Sequence, residues 1–190
     1  MFHAMKTTIP RRPLISLTTI VAALCAGGVA VADSWTSPPK VPAALAVPAA
    51  GKEAPKVAAH LHGVGAQVYG CVAAAGTTTY AWTLLRPDAV LLDQKGAPAG
   101  THGAGPIWTA KDGSTVTGKK LAQADAPAAD AIPWLLLHAE KITGNGVFSK
   151  VTYVQRVETK KGKPPTTECD ATTPKTETRV DYSADYYFYN

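Results

Sequence analysis

The chain has 190 residues, 46% of them hydrophobic and 17% charged, a balance that suits one folded domain and excludes a disordered chain. Its 16 glycines and 15 prolines favour a turn-rich β protein over a helical one. The formal charge of +5 falls to +2 without Lys6, Arg11 and Arg12 of the N-terminal leader, and the remaining lysines form no stripe interleaved with aromatics, so nucleic-acid binding is not expected.

Residues 1–13 are basic and lack acids, and residues 14–31 are an apolar run interrupted only by Ser16, Thr18 and Thr19. Ala30-Val31-Ala32 before Asp33 is a small-x-small cleavage site. The pattern predicts a signal peptide over residues 1–32, cut after Ala32, and hence a secreted or periplasmic protein that meets the membrane only before cleavage. A transmembrane anchor fits less well, because the run is at the lower length limit for a span and is diluted by Ala, Gly and Thr. Arg11-Arg12 raises the twin-arginine route, but Pro13 follows directly, and the choice between export routes stays open. Cys25 falls in the leader, so the mature chain keeps Cys71 and Cys169. An even cysteine count in an oxidising compartment reads as a disulfide.

Residues 33–56 are rich in Pro and Ala and read as an extended arm, with Leu45 and Val47 as its contacts to the domain formed by residues 57–190. Residues 57–73 read as two strands or one bent strand, with His60 and His62 on one face. Residues 80–85 form a strand that Arg86-Pro87-Asp88 breaks, and residues 89–93 form another. The glycine-rich stretch from Gly100 to Trp108 reads as a loop carrying His102. Asp112-Gly113 then joins two short strands in a hairpin. Residues 134–141 begin as a continuous apolar run, which suits a strand buried on both faces, with a short helix as the alternative. Residues 147–157 alternate and are β-branched, the clearest strand signal in the chain. Residues 160–174 form a loop holding Cys169, and residues 178–180 and 186–189 close the chain as short strands. The sum is an all-β fold with little helix, an antiparallel sandwich or barrel of about ten short strands.

Several blocks resemble a known family. They include His62-Gly63-Val64-Gly65-Ala66-Gln67-Val68-Tyr69-Gly70-Cys71, Gly100-Thr101-His102-Gly103-Ala104-Gly105-Pro106-Ile107-Trp108, Ala131-Ile132-Pro133-Trp134-Leu135-Leu136-Leu137, Thr152-Tyr153-Val154-Gln155-Arg156 and Ala184-Asp185-Tyr186-Tyr187-Phe188-Tyr189. In this order they resemble the domain of unknown function 3455, over nearly the whole mature chain. The chain departs from the family pattern at Gly103, where many relatives carry an aromatic residue. The resemblance implies an exported domain with Cys71 and Cys169 paired, and it implies no activity. Some fungal relatives bear a malate dehydrogenase label, which the residues here contradict. Gly63-Val64-Gly65-Ala66-Gln67-Val68 lacks the third glycine of a dinucleotide fingerprint, and a β-alternating run follows where a helix is required. A Rossmann-type dehydrogenase is therefore excluded, and no cofactor is expected.

Three other chemistries can be weighed. His60 and His62 could begin a metal site, with His102 or Glu140 completing it, although histidines on an edge strand explain the spacing as well. His102, Asp112 and Ser114 carry hydrolytic residue types, but no nucleophile-elbow string surrounds Ser114 and hairpin chemistry accounts for Asp112-Gly113-Ser114. Glu140 and Arg156 read as a buried ion pair, since a buried charge needs a partner. For binding, Trp108, Tyr80, Trp82 and the Tyr186–Tyr189 run offer flat apolar faces, most of them read as core, and Trp108 is expected to be exposed where it leaves a loop without bulky neighbours. The leading expectation is a non-enzymatic extracytoplasmic binding or envelope-associated module. Its partner would be a small molecule, glycan or envelope component, met through His102, Trp108 and Tyr80. The alternative is a hydrolase or metalloenzyme using His102 with His60 and His62 or with Asp112.

Overall fold

The structure is a computed structural model that describes Met1 and residues 37–49, 51, 53–173 and 177–190. The expected signal peptide beyond Met1, and the first residues of the arm, lie outside the described residues. The strands are β1 (Val57–Ala73), β2 (Tyr80–Leu92), β3 (Pro98–Gly103), β4 (Ile107–Ala110), β5 (Thr115–Ala124), β6 (Trp134–Thr143), β7 (Tyr153–Lys161) and β8 (Thr178–Tyr189). Each pairs antiparallel with the next in the chain, and β8 returns to pair with β1, so the sheet closes as a barrel. Of the two architectures expected, closure selects the barrel, in which every strand pairs with a neighbour on each side over at least part of its length.

The strands are fewer and longer than expected because punctuating residues are absorbed within strands. β1 runs 17 residues through Gly63 and Gly65. A Cβ on Gly63 would lie 2.7 Å from the Tyr186 ring, so the glycine makes room for an aromatic side chain inside the barrel. Leu85 bulges out of β2 where the register with β1 shifts, and Pro87 stays in the strand opposite Gln67. Pro87 is tolerated because β3 pairs with β2 only from Ala89 onward. The segments expected as two C-terminal strands are the single β8.

The strand expected over residues 147–157 begins later. Residues 147–150 are turns, and β7 begins only at Tyr153. Phe148 and Val151 lie 0% and 2% exposed within the main core, where the Phe148 ring stands 4.3 Å from that of Phe188. Their alternation reflects insertion into one end of the barrel, not a strand. Asp112 and Ser114 of the β4–β5 hairpin anchor the insert: Val147 N–H donates to Asp112 Oδ2 at 2.7 Å and Phe148 N–H to Ser114 Oγ at 3.2 Å.

A second core lies outside the barrel wall. The arm makes a short 3-10 turn, η1 (Ala43–Leu45), and places the fully buried Leu45 with Trp134, Leu136, Val157, Tyr187 and Tyr189. Gln155 fixes it, donating from Nε2 to the Leu45 carbonyl at 2.6 Å while Oε1 accepts the Tyr189 hydroxyl at 2.6 Å. This cover explains the apolar run of β6: Leu137 belongs to the interior core and Leu136 to the outer one.

The disulfide joins Cys71 of β1 to Cys169 in the segment before β8, with Cα atoms 5.6 Å apart.

Candidate functional site

The barrel interior changes character along its axis. Toward the inserted Phe148 it holds apolar side chains, among them Leu61, Leu91, Val154 and Phe188. Toward the other end it presents Gln67, His102 and Arg156 to a cavity of about 410 Å³. Leu84, Leu85, Pro87, Leu135 and Leu137 supply its apolar lining. That volume lies in the range that small-molecule sites occupy.

Strand lengths explain where the cavity opens. β3 and β4 are only 6 and 4 residues long, whereas β2 and β5 run 13 and 10. β2 before Ala89 therefore has no β3 partner, and β5 beyond Thr117 has no β4 partner. The wall is notched between them. Leu84 to Pro87 line one side of the notch, Lys120 and Gln123 the other, and Gly105 and Pro106 its base. The base is held by Gly118 N–H donating to the Pro106 carbonyl at 3.0 Å. Gly105 has φ +75°, so this tight turn requires glycine.

His102 is on β3, not in a loop, and is 4% exposed. Its ring stacks on Trp108 at 4.5 Å and meets the edge of Tyr186 at 5.1 Å. Nδ1 donates to the Ile107 carbonyl at 2.9 Å, which leaves Nε2 as an acceptor in the neutral ring. Burial drives the His102 pKa down to about 4. The bond to the Ile107 carbonyl opposes this, and the Arg156 charge adds to it.

Gln67 is 1% exposed, and its Nε2 has no hydrogen-bond partner among the described residues. Arg156 is half-buried on the inner face of β7. Its Nε and Nη2 both donate to the Pro133 carbonyl, at 3.2 and 2.8 Å. Its charge reaches the hydroxyls of Tyr69, Tyr182 and Tyr186. Burial nevertheless raises all three phenol pKa values, so they remain protonated.

The sequence-predicted site residues separate. Trp108 is not exposed: at 1% it is core, lying behind His102 and edge-on to Tyr186 and Phe188. Gly118 opposite it makes the space, since a Cβ there would sit 3.0 Å from the indole. Tyr80 lines a separate depression of about 350 Å³ beside the disulfide, with Gly70, Cys71 and Glu177. His60 and His62 do share a face, but it is the outer one. His62 Nδ1 lies 2.6 Å and His60 Nε2 3.4 Å from Asp185 Oδ1, and His60 stacks on Tyr187 at 4.0 Å. The barrel wall stands between them and His102. Among the described residues, no three His, Cys, Asp or Glu side chains gather as metal ligands. Asp112 and Ser114 bond to each other at 2.6 Å, at the end of β4 opposite the turn of residues 104–106. Glu140 does not meet Arg156; it stands 3.9 Å from Lys119 on the exposed surface. Sequence reading missed Gln67 and Arg156 as partners of His102. The available signal was Gln67 interrupting the small and apolar positions Leu61, Gly63 and Gly65 on the inward side of β1.

Fold and cavity together define a closed, up-and-down eight-stranded barrel with a cup plugged at one end and notched at the other. Residues 51–190 match the family described as protein of unknown function (DUF3455). The chain belongs to that family. Comparison with curated proteins and with solved structures finds no match.

Proposed function

We propose that this chain is a non-enzymatic, extracytoplasmic binding module that holds a small, largely apolar molecule in the barrel cup. The observation that carries the reading is the buried Gln67 Nε2, which has no hydrogen-bond partner among the described residues and lines a cavity walled by leucine and proline. A buried polar donor costs about 1–3 kcal/mol when unsatisfied, and a ligand acceptor would offset that cost. Exposed Leu84 and Leu85 at the notch, 48% and 44% accessible, would guide an apolar molecule inward. Export rests on the leader pattern of residues 1–32 and agrees with the Cys71–Cys169 disulfide.

The test uses protein recovered from the culture medium or periplasm, where mass spectrometry is expected to find Asp33 as the first residue. A neutral solvatochromic dye such as Nile red should bind with a blue shift and increased emission. Leu137→Trp, which fills the cup, should abolish the signal while the far-ultraviolet spectrum stays that of a β protein. Dye binding unaffected by this substitution would place the apolar site elsewhere and overturn the reading.

A further inference from the structure

Granting the binding cup, we propose that its ligand is a monocarboxylate with an apolar body, its carboxylate held by Arg156 and Gln67. Three observations lead there. First, the guanidinium is permanently charged and faces the cavity, yet no carboxylate lies within 4.0 Å of it among the described residues. A partly buried charge without a counter-ion is costly, and its bonds to Pro133 orient it without neutralising it. The surrounding tyrosines, held as neutral phenols, cannot serve as the counter-ion.

Second, the charge along the cavity has one sign. Arg86, Lys120 and Arg156 line it and, among the described residues, no Asp or Glu does. Glu177 neutralises Arg86 through a two-pronged contact at 2.5 and 2.7 Å. Lys120 is exposed at the rim and donates to Gln123 Oε1 at 3.0 Å. One interior cation therefore faces the ligand, with a second at the mouth to attract it. A planar guanidinium beside an amide N–H is a donor set matched to a carboxylate.

Third, the remaining lining is apolar. Leu84, Leu85, Pro87, Pro106, Pro133, Leu135 and Leu137 offer no hydrogen-bonding side chain, and His102 is neutral. A single full charge in the interior favours a monoanion over a phosphate dianion. An alkyl or flat hydrocarbon body would lie against the leucines.

The experiment compares decanoate, 1-decanol and decyl phosphate as competitors of Nile red, at neutral pH and below micelle formation. Decanoate should displace the dye at least tenfold more tightly than decanol, and more tightly than decyl phosphate. Arg156→Leu should bring decanoate and decanol within about twofold of each other. Gln67→Leu, which keeps the cation, should weaken decanoate several-fold and leave decanol unchanged, so the assignment stays testable if Arg156→Leu fails to fold. Equal binding of decanoate and decanol by the native protein would overturn the anion assignment while leaving the cup intact. Tighter binding of decyl phosphate would overturn the carboxylate in favour of a phosphate. Failure of all three to displace the dye would overturn both the assignment and the cup as an alkyl site.

Discussion

At the scale of single residues, His102 is the group whose surroundings most change its chemistry. In the unfolded chain its pKa is about 6.5, whereas burial lowers it to about 4 in the barrel. Between these values the unfolded chain binds the proton and the folded one does not. The stability gained from a neutral His102 is thus complete above about pH 6.5 and is lost as pH falls toward 4, a total of about 3 kcal/mol. Urea unfolding at pH 7 and pH 4.5 should show this loss in the native protein and much less of it in His102→Gln. Equal losses in both proteins would assign the acid sensitivity to another group. Asp185 acts lower in the pH range. Burial raises its pKa, but hydrogen bonds from His60 and His62 outweigh burial and hold it below the ordinary carboxylate value, so its contribution fades only in stronger acid.

At the scale of elements, the arm and the short hairpin have opposite effects on the barrel wall. The arm doubles the wall by burying the outer faces of β6, β7 and β8 under Leu45. Leu45→Ala should cost about 2–5 kcal/mol in equilibrium unfolding, the usual range for a fully buried leucine. A loss well under 1 kcal/mol would mean that the arm detaches without weakening the barrel. The β3–β4 hairpin instead thins the wall, because strands of 6 and 4 residues cannot reach the rim that β2 and β5 define. The glycine-rich stretch from Gly100 to Trp108 therefore matters mainly through its length. It sets the depth of the notch, while His102 lies behind that notch.

At the scale of the molecule, closure between β1 and β8 brings together groups that are remote in the chain. Gln67 and Arg156 reach one cavity because β8 bridges β1 and β7. The disulfide reinforces this seam across a sequence separation of 98. Replacing both cysteines with serine should lower unfolding free energy by about 2–4 kcal/mol, a loss readable as an earlier urea midpoint. No change in the midpoint would show that strand pairing alone secures the segment before β8.

Much of the fold was legible in the sequence. Alternation placed β1 and the start of β2, an apolar run placed β6, terminal aromatics placed the end of β8, and Asp112-Gly113 placed the hairpin, because strand period, apolar content and turn chemistry are local properties of the chain. The cysteine pair was legible from its count, and Leu45 from being apolar in an otherwise proline-broken arm. Alternation misled at residues 147–152, where apolar side chains fill a barrel end instead of a strand face. The reading of Trp108 as exposed failed as well, because its burial depends on the space opposite it at Gly118. The sequence by itself determined an all-β domain with paired cysteines and a strand that carries His60 and His62 on one face. Only the tertiary structure decided that the sheet closes, that His60 and His62 lie outside while His102 lies inside, and that Arg156 stands in the cup with no carboxylate beside it among the described residues. The physical reason is that strand period says which residues share a face, whereas closure and register decide which face encloses the interior and which distant residues meet there.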